Sequence, residues 1–274
     1  MIDVTSSEEW AALKWLAKRG QPVGRPMPLL TALIATRKPM YNSGWWRYFA
    51  IVLGVSLIGS AYPALFGFEG VQSGNGYFVP FGIQFAFWDG IRRRERKLGA
   101  SVPSRSPVEP WWRVLGGWYL VAFAATIGGG IALAVAMYFT TADRTYAVSW
   151  LGLLVLGALG SGWMLTRILR GPVFGAAPES LAVQRVLRTE RIYLAMPGYV
   201  VLPVAADLVL VVLGNGPPAE FRPWLIRYIA AVVVLHVISG IVHWSRQRTL
   251  PPGYYGRPPV PDPGTPVDWS PPAQ

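Results

Sequence analysis

Five long apolar runs dominate the chain: Tyr48–Phe66, Val114–Phe139, Ser149–Leu169, Ile192–Gly214 and Trp224–Trp244. The stretches Val114–Thr140 and Ser149–Thr166 carry no charged side chain. A helix rises about 1.5 Å per residue, so about 20 apolar residues cross a ~30 Å hydrocarbon core. The pattern therefore predicts transmembrane helices. A sixth run, Tyr77–Ile91, contains Pro80 and reaches only about 22 Å as a helix.

The positions of the basic residues decide whether the sixth run crosses. If it does not, Arg92, Arg93, Arg94, Arg96 and Lys97 fall opposite the basic N-terminal segment, and every later loop inverts. If it does, all but three of the 25 Lys and Arg share one face, with only Arg144, Arg222 and Arg227 near the other. Basic loops mark the cytoplasmic side. The prediction is an all-α polytopic membrane protein with six transmembrane helices in three antiparallel hairpins, about 48–91, 114–169 and 192–244. Both termini are cytoplasmic. Residues 1–44 form a cytoplasmic or interfacial N-terminal segment, 45–248 the membrane domain, and 249–274 a Pro-rich disordered tail.

A Trp-Trp-Arg triplet precedes both the first and the third run. Trp46 and Trp112 are placed to sit at headgroup level, with Arg47 and Arg113 snorkelling to phosphates. Trp163 before Arg167 and Trp244 before Arg246 repeat the anchor on returning helices. Small residues four apart, Gly128, Ala132 and Ala136 in the third run and Gly157 and Ser161 in the fourth, predict close helix approach.

Outside the runs, Ser6 with Glu9 fits a capping box, and Gly20 then Pro22 ends the helix that it opens. Trp10, Leu13 and Ala17 share one face, so this helix either lies in the membrane plane or packs on the bundle. Glu179–Arg191 is a second amphipathic helix, with a basic stripe of Arg185, Arg188 and Arg191, expected along the inner leaflet. From Pro251 the chain cannot continue as a helix, because each Pro removes a donor and fixes φ.

Composition sharpens the picture. Only 14% of residues are charged, against about a quarter in soluble domains. The net charge of +11 belongs to the membrane edges, where anionic headgroups are its partner, and no nucleic-acid module accompanies it. There is no Cys, hence no disulfide, thiolate metal site or Cys nucleophile. No N-terminal signal peptide is visible, so the first run is expected to act as its own insertion signal. High Ala, Gly, Val and Pro, with Arg in excess of Lys, fit a GC-rich bacterial genome and a bacterial inner membrane.

Candidate chemistry is sparse. Ionisable groups at depth are costly and tend to be functional. Asp207 lies in the fifth run, after Pro197, Gly198 and Pro203, and a structural ion pair with Arg227 is the expected arrangement. A coupling or proton site is the alternative. His236 lies near mid-bilayer, and His243 seven residues on shares its face, so the two cannot clamp one haem within a monomer. No Walker loop, HExxH or GxSxG is present. No metal, no cofactor and no enzymatic activity are expected. The expected function is a non-catalytic accessory or scaffold subunit of a bacterial membrane assembly, with a protein partner or a homo-oligomer. The alternative is a small transporter or lipid-handling protein using Asp207 and His236.

Overall fold

Thr5 opens the first helix, α1 (Ser6–Ala17): its Oγ1 accepts from the Glu8 N–H, and the Glu8 carboxylate accepts from the Thr5 N–H at 3.1 Å. This capping box stands one residue earlier than the Ser6–Glu9 frame. Glu9 is thereby turned toward Arg25, 3.5 Å away. In the computed structural model, residues 4–37, 45–66, 79–99, 111–171, 177–210 and 217–258 are described.

α1 buries Ala12, Trp15 and Leu16 and exposes Trp10. The packed face is thus rotated from the Trp10–Leu13–Ala17 face read from the sequence. Its neighbour is α2 (Pro28–Ala35), a short helix that the apolar runs did not signal. Pro28 at its first position suits the fixed φ of proline. Leu30, Leu33 and Ile34 of α2 join Trp15 and Leu16 in one core with Val183 and Leu187. The last two lie on α9 (Pro178–Leu194). The apolar face of α9 therefore packs on protein, not on the inner leaflet as expected.

The end of the described chain completes this core. Leu250 and Tyr255 are buried in it. β2 (Gly256–Arg257) pairs antiparallel with β1 (Arg25–Pro26), in the register Arg25↔Arg257. The first residues of the Pro-rich tail are thus extended but held, contrary to a disordered tail from residue 249. Residues 259–274 lie outside the described residues.

The remaining elements are long. α3 (Trp45–Phe66) and α4 (Val79–Gly99) are neighbours: Gly82 meets the Val52 backbone, and Arg47 lies 3.4 Å from Asp89. α5 (Trp111–Leu115) stops at Gly116, whose φ of 75° favours glycine. α6 (Gly117–Ala124) then runs through a π-helical turn at Ala125–Gly129 into α7 (Gly130–Thr140). α8 (Arg144–Leu169) follows a tight turn. After α9 comes a 3₁₀ turn, Gly198–Val201, then α10 (Leu202–Leu210). α11 (Arg222–Arg246) is the last helix.

The described chain is mostly helical, and four segments are long and apolar enough to cross a membrane: Gly117–Thr140, Arg144–Leu169, Pro178–Val209 and Ala219–Arg246. α3 has a shorter apolar stretch, Trp46–Gly59. On α11, Ile226, Val233, Val237 and Ile241 are exposed between exposed Trp224 and Trp244, which stand about 30 Å apart. That spacing matches a bilayer core flanked by indole rings.

The π-helical turn changes which small residues pack. Gly128, Ala132 and Ala136 are exposed and form no seam among the described residues. The close approach is two positions over: a Cβ at Gly130 would stand 2.8 Å from Leu154 and 2.9 Å from the Tyr228 hydroxyl. The Thr126 carbonyl accepts a hydrogen bond from Tyr228, which takes up an acceptor that the widened turn presents. In α8, Gly157 meets the Val200 side chain with no room for a Cβ, and Ser161 is fully buried.

Candidate functional site: polar ties and a basic cavity

The buried polar groups fall into three places. The first is the end of the bundle where α8 begins. Asp207 is 7% exposed and accepts a hydrogen bond from the Tyr146 hydroxyl at 2.9 Å. The expected pair with Arg227 is not the arrangement found. Arg227 is exposed, with its guanidinium 5.0 Å from the Trp224 ring. α10 turns Asp207 toward α8, and α11 turns Arg227 outward.

The second place is the break between α9 and α10. Pro197 has no N–H, so the backbone there cannot continue its ladder. Gln84 of α4 supplies donors in its stead: its side-chain amide donates to the carbonyls of Leu194 and Met196. His236 faces the same break. Its Nδ1 lies 2.8 Å from the Val232 carbonyl, and its buried Nε2 has no hydrogen-bond partner among the described residues. A Cβ at Gly198 would stand 3.5 Å from that Nε2. His236 and Asp207 are thus set against different elements and do not form one site.

The third place is the basic end, where both described chain ends meet. Glu190 of α9 pairs with Arg19 at 2.9 Å and with Arg37 at 2.6 Å. Arg191 pairs with Glu95 and donates to the Thr36 hydroxyl at 3.2 Å. Arg94 pairs with Glu8 at 2.9 Å and donates to the Ala35 carbonyl. Arg19 is 5% exposed and stacks on Trp15 at 3.8 Å. Burial lowers its pKa from the ordinary arginine value, opposed by the Glu190 carboxylate. These pairs stitch α1, α2, α4 and α9 into one platform.

Beside the platform lies a cavity of about 290 Å³, between Gly116 at the start of α6, the middle of α9 and the end of α11. Among the described residues, Arg185, Arg188, Arg246 and His243 line it. Arg188 also donates to the Leu169 carbonyl, capping the end of α8. One wall is aromatic. Tyr193 stacks on His243 at 4.2 Å and meets Tyr119 edge-on at 5.5 Å. Its hydroxyl donates to the Ser239 carbonyl at 2.9 Å. The sequence reading missed this cavity. Arg185 and Arg188 read as a surface stripe, and Gly116 carried no signal beyond being one of many glycines.

The anchors divide. Trp46 and Trp244 are exposed, whereas Arg47 pairs with Asp89. Trp163 is half-exposed and stacks on Phe85 at 5.5 Å, with Arg167 5.8 Å from its ring. The side chains of Trp112 and Arg113 lie outside the described residues. Among the described residues, no group of three or more His, Asp or Glu could hold a metal.

The fold defines a multi-pass helical protein with four segments able to cross a membrane. No protein-family model, no curated protein and no solved structure matches the chain.

Proposed function

We propose that this is a six-span protein of a bacterial inner membrane, with both termini cytoplasmic, acting as a non-catalytic accessory or scaffold subunit of a larger membrane assembly. The observation that carries the reading is the platform at the basic end. A folded body built from both described chain ends, tied to the bundle through partly buried ion pairs of Arg19, Glu190 and Arg191, is suited to docking rather than to turnover. The topology is supported by the β1–β2 pairing, which holds the two ends on one side and so requires an even number of crossings. The Arg47–Asp89 pair supports α3 and α4 as an additional hairpin.

The separation of Asp207 from His236 argues against a transport site in the third hairpin. Asp207 is tied by Tyr146 across a helix interface, the arrangement of a packing group. Gentle extraction from native membranes through a C-terminal affinity tag tests the proposal. Other proteins co-purifying in fixed ratio are expected. A chain that elutes alone, as monomer or homo-oligomer, would overturn the accessory reading.

A further inference from the structure

We infer that the break between α9 and α10 binds water inside the membrane domain, donating to His236 Nε2, with the side-chain carbonyl of Gln84 as a second acceptor. The inference goes beyond the scaffold reading and does not depend on it. It rests on which hydrogen-bonding groups meet at the break and on how each is directed.

His236 supplies the first acceptor. Its Nδ1 lies 2.8 Å from the Val232 carbonyl, which can only accept, so Nδ1 carries the hydrogen. In the neutral ring Nε2 is then a bare lone pair. That atom is buried, has no partner among the described residues, and faces Gly198.

Gln84 supplies the second. Its amide nitrogen donates to the carbonyls of Leu194 and Met196, which fixes its oxygen on the other side. Gln84 is 8% exposed, and that oxygen is buried without a partner among the described residues. Two acceptors from two helices thus stand against the same short stretch of broken backbone.

Gly198 leaves the space. Its φ is not in the left-handed region, so backbone conformation alone does not call for glycine. A Cβ there would stand 3.5 Å from His236 Nε2, an ordinary contact that would fill the side from which a donor approaches.

The acceptors select the ligand. Lone pairs repel an anion and call for a donor. Water is the smallest donor, carries two hydrogens, and adds no net charge to apolar surroundings. Buried polar groups that the chain does not pair are commonly served by water. Irregular backbone at membrane depth is likewise tolerated where protein encloses it or water meets it. His236 lies about 12 Å inside Trp244 along α11. Ser239, one turn on, has its hydroxyl 2.8 Å from that of Tyr193, which lines the basic cavity. Water at the break therefore places an imidazole lone pair of the membrane interior at the end of a line of hydrogen-bonding groups that begins at that cavity.

The chain has only two histidines, so nitrogen-15 labelling at histidine gives a readable solid-state NMR spectrum. The test uses the full chain in dioleoyl-phosphatidylcholine vesicles at neutral pH, with H243Q to assign the signals. His236 should show a protonated Nδ1, a bare Nε2, and a cross-peak between Nε2 and water protons. G198A should lose that cross-peak, because its methyl group takes the space beside Nε2. Unshifted His243 signals in G198A report an intact fold. R227Q, on the outward face of α11, should keep the cross-peak. A proton on Nε2 in place of the lone pair, or no contact between Nε2 and water in the wild type, would overturn the inference. An undiminished cross-peak in G198A would overturn the placement of the water at the break.

Discussion

Tyr146 governs how the bundle tolerates its buried carboxylate. Its hydroxyl donates to Asp207 inside a helix interface, where a lost donor takes a hydrogen bond from a buried carboxyl group. Y146F is expected to destabilise the protein by about 1–3 kcal/mol. D207N keeps an acceptor for the same hydroxyl and should assemble normally. Thermal melting in detergent compares the two, and a costlier D207N than Y146F would contradict the pairing. At Gly157 the neighbour is the Val200 side chain, so G157A forces a shift and should cost about 1–3 kcal/mol in the same assay. Residue types at depth were legible in the sequence, and their partners were not. Asp207 read as an intramembrane carboxylate, but its orientation toward α8 depends on helix rotation, which periodicity in an all-apolar run does not encode. The small-residue stripes show the same limit. Gly157 lies at a close approach, while Gly128, Ala132 and Ala136 turn outward where the π-helical turn shifts the register.

At the level of elements, α9 does two jobs along one length. Its apolar face closes the platform core, and Glu190 and Arg191 bind the platform to α1, α2 and α4. Removing one partner of a buried pair leaves the other charge stranded. E190Q should therefore cost about 1–3 kcal/mol and expose the first 37 residues to limited proteolysis while the long helices remain protected. Equal protection of both regions in E190Q would count against the platform as a body held by these pairs. The C-terminal strap is the second hold. Burial, with the Glu179 carboxylate beside it, pushes the Tyr255 phenol up from its ordinary 10.0. A raised folded value stabilises the docked strap below the ordinary pKa, and the hold weakens as pH rises past it, because the undocked ring ionises first. Cleavage within residues 247–258 is expected to increase above about pH 10, and Y255F should abolish that dependence. Both amphipathic helices, α1 and α9, were visible as sequence patterns. Their packing faces were not, because α2 and the strap, which cover them, carry no comparable signal.

Over the whole molecule, the account rests on parity and length. Both described chain ends meet at β1 and β2, and four segments are long enough to cross a membrane. What distinguishes six crossings from four is the α3–α4 pair. α4 gathers its charges at one end, in the Arg92–Lys97 run, where Arg94 pairs with Glu8 and Glu95 with Arg191, so long uncharged stretches alone do not reveal it. Summing basic charge over all loops, rather than apolarity over one window, is what brought it forward in the sequence. The chain has no Cys, so single-cysteine variants can be labelled without background. The most direct measurement is the reaction of S73C, between the first two predicted spans, with a membrane-impermeant maleimide in intact spheroplasts. D143C, in the turn between α7 and α8, marks the outer side, and K18C marks the inner. The account predicts that S73C labels together with D143C, and that K18C labels only after permeabilisation. Labelling of S73C only after permeabilisation, alongside K18C, would contradict the six-span architecture.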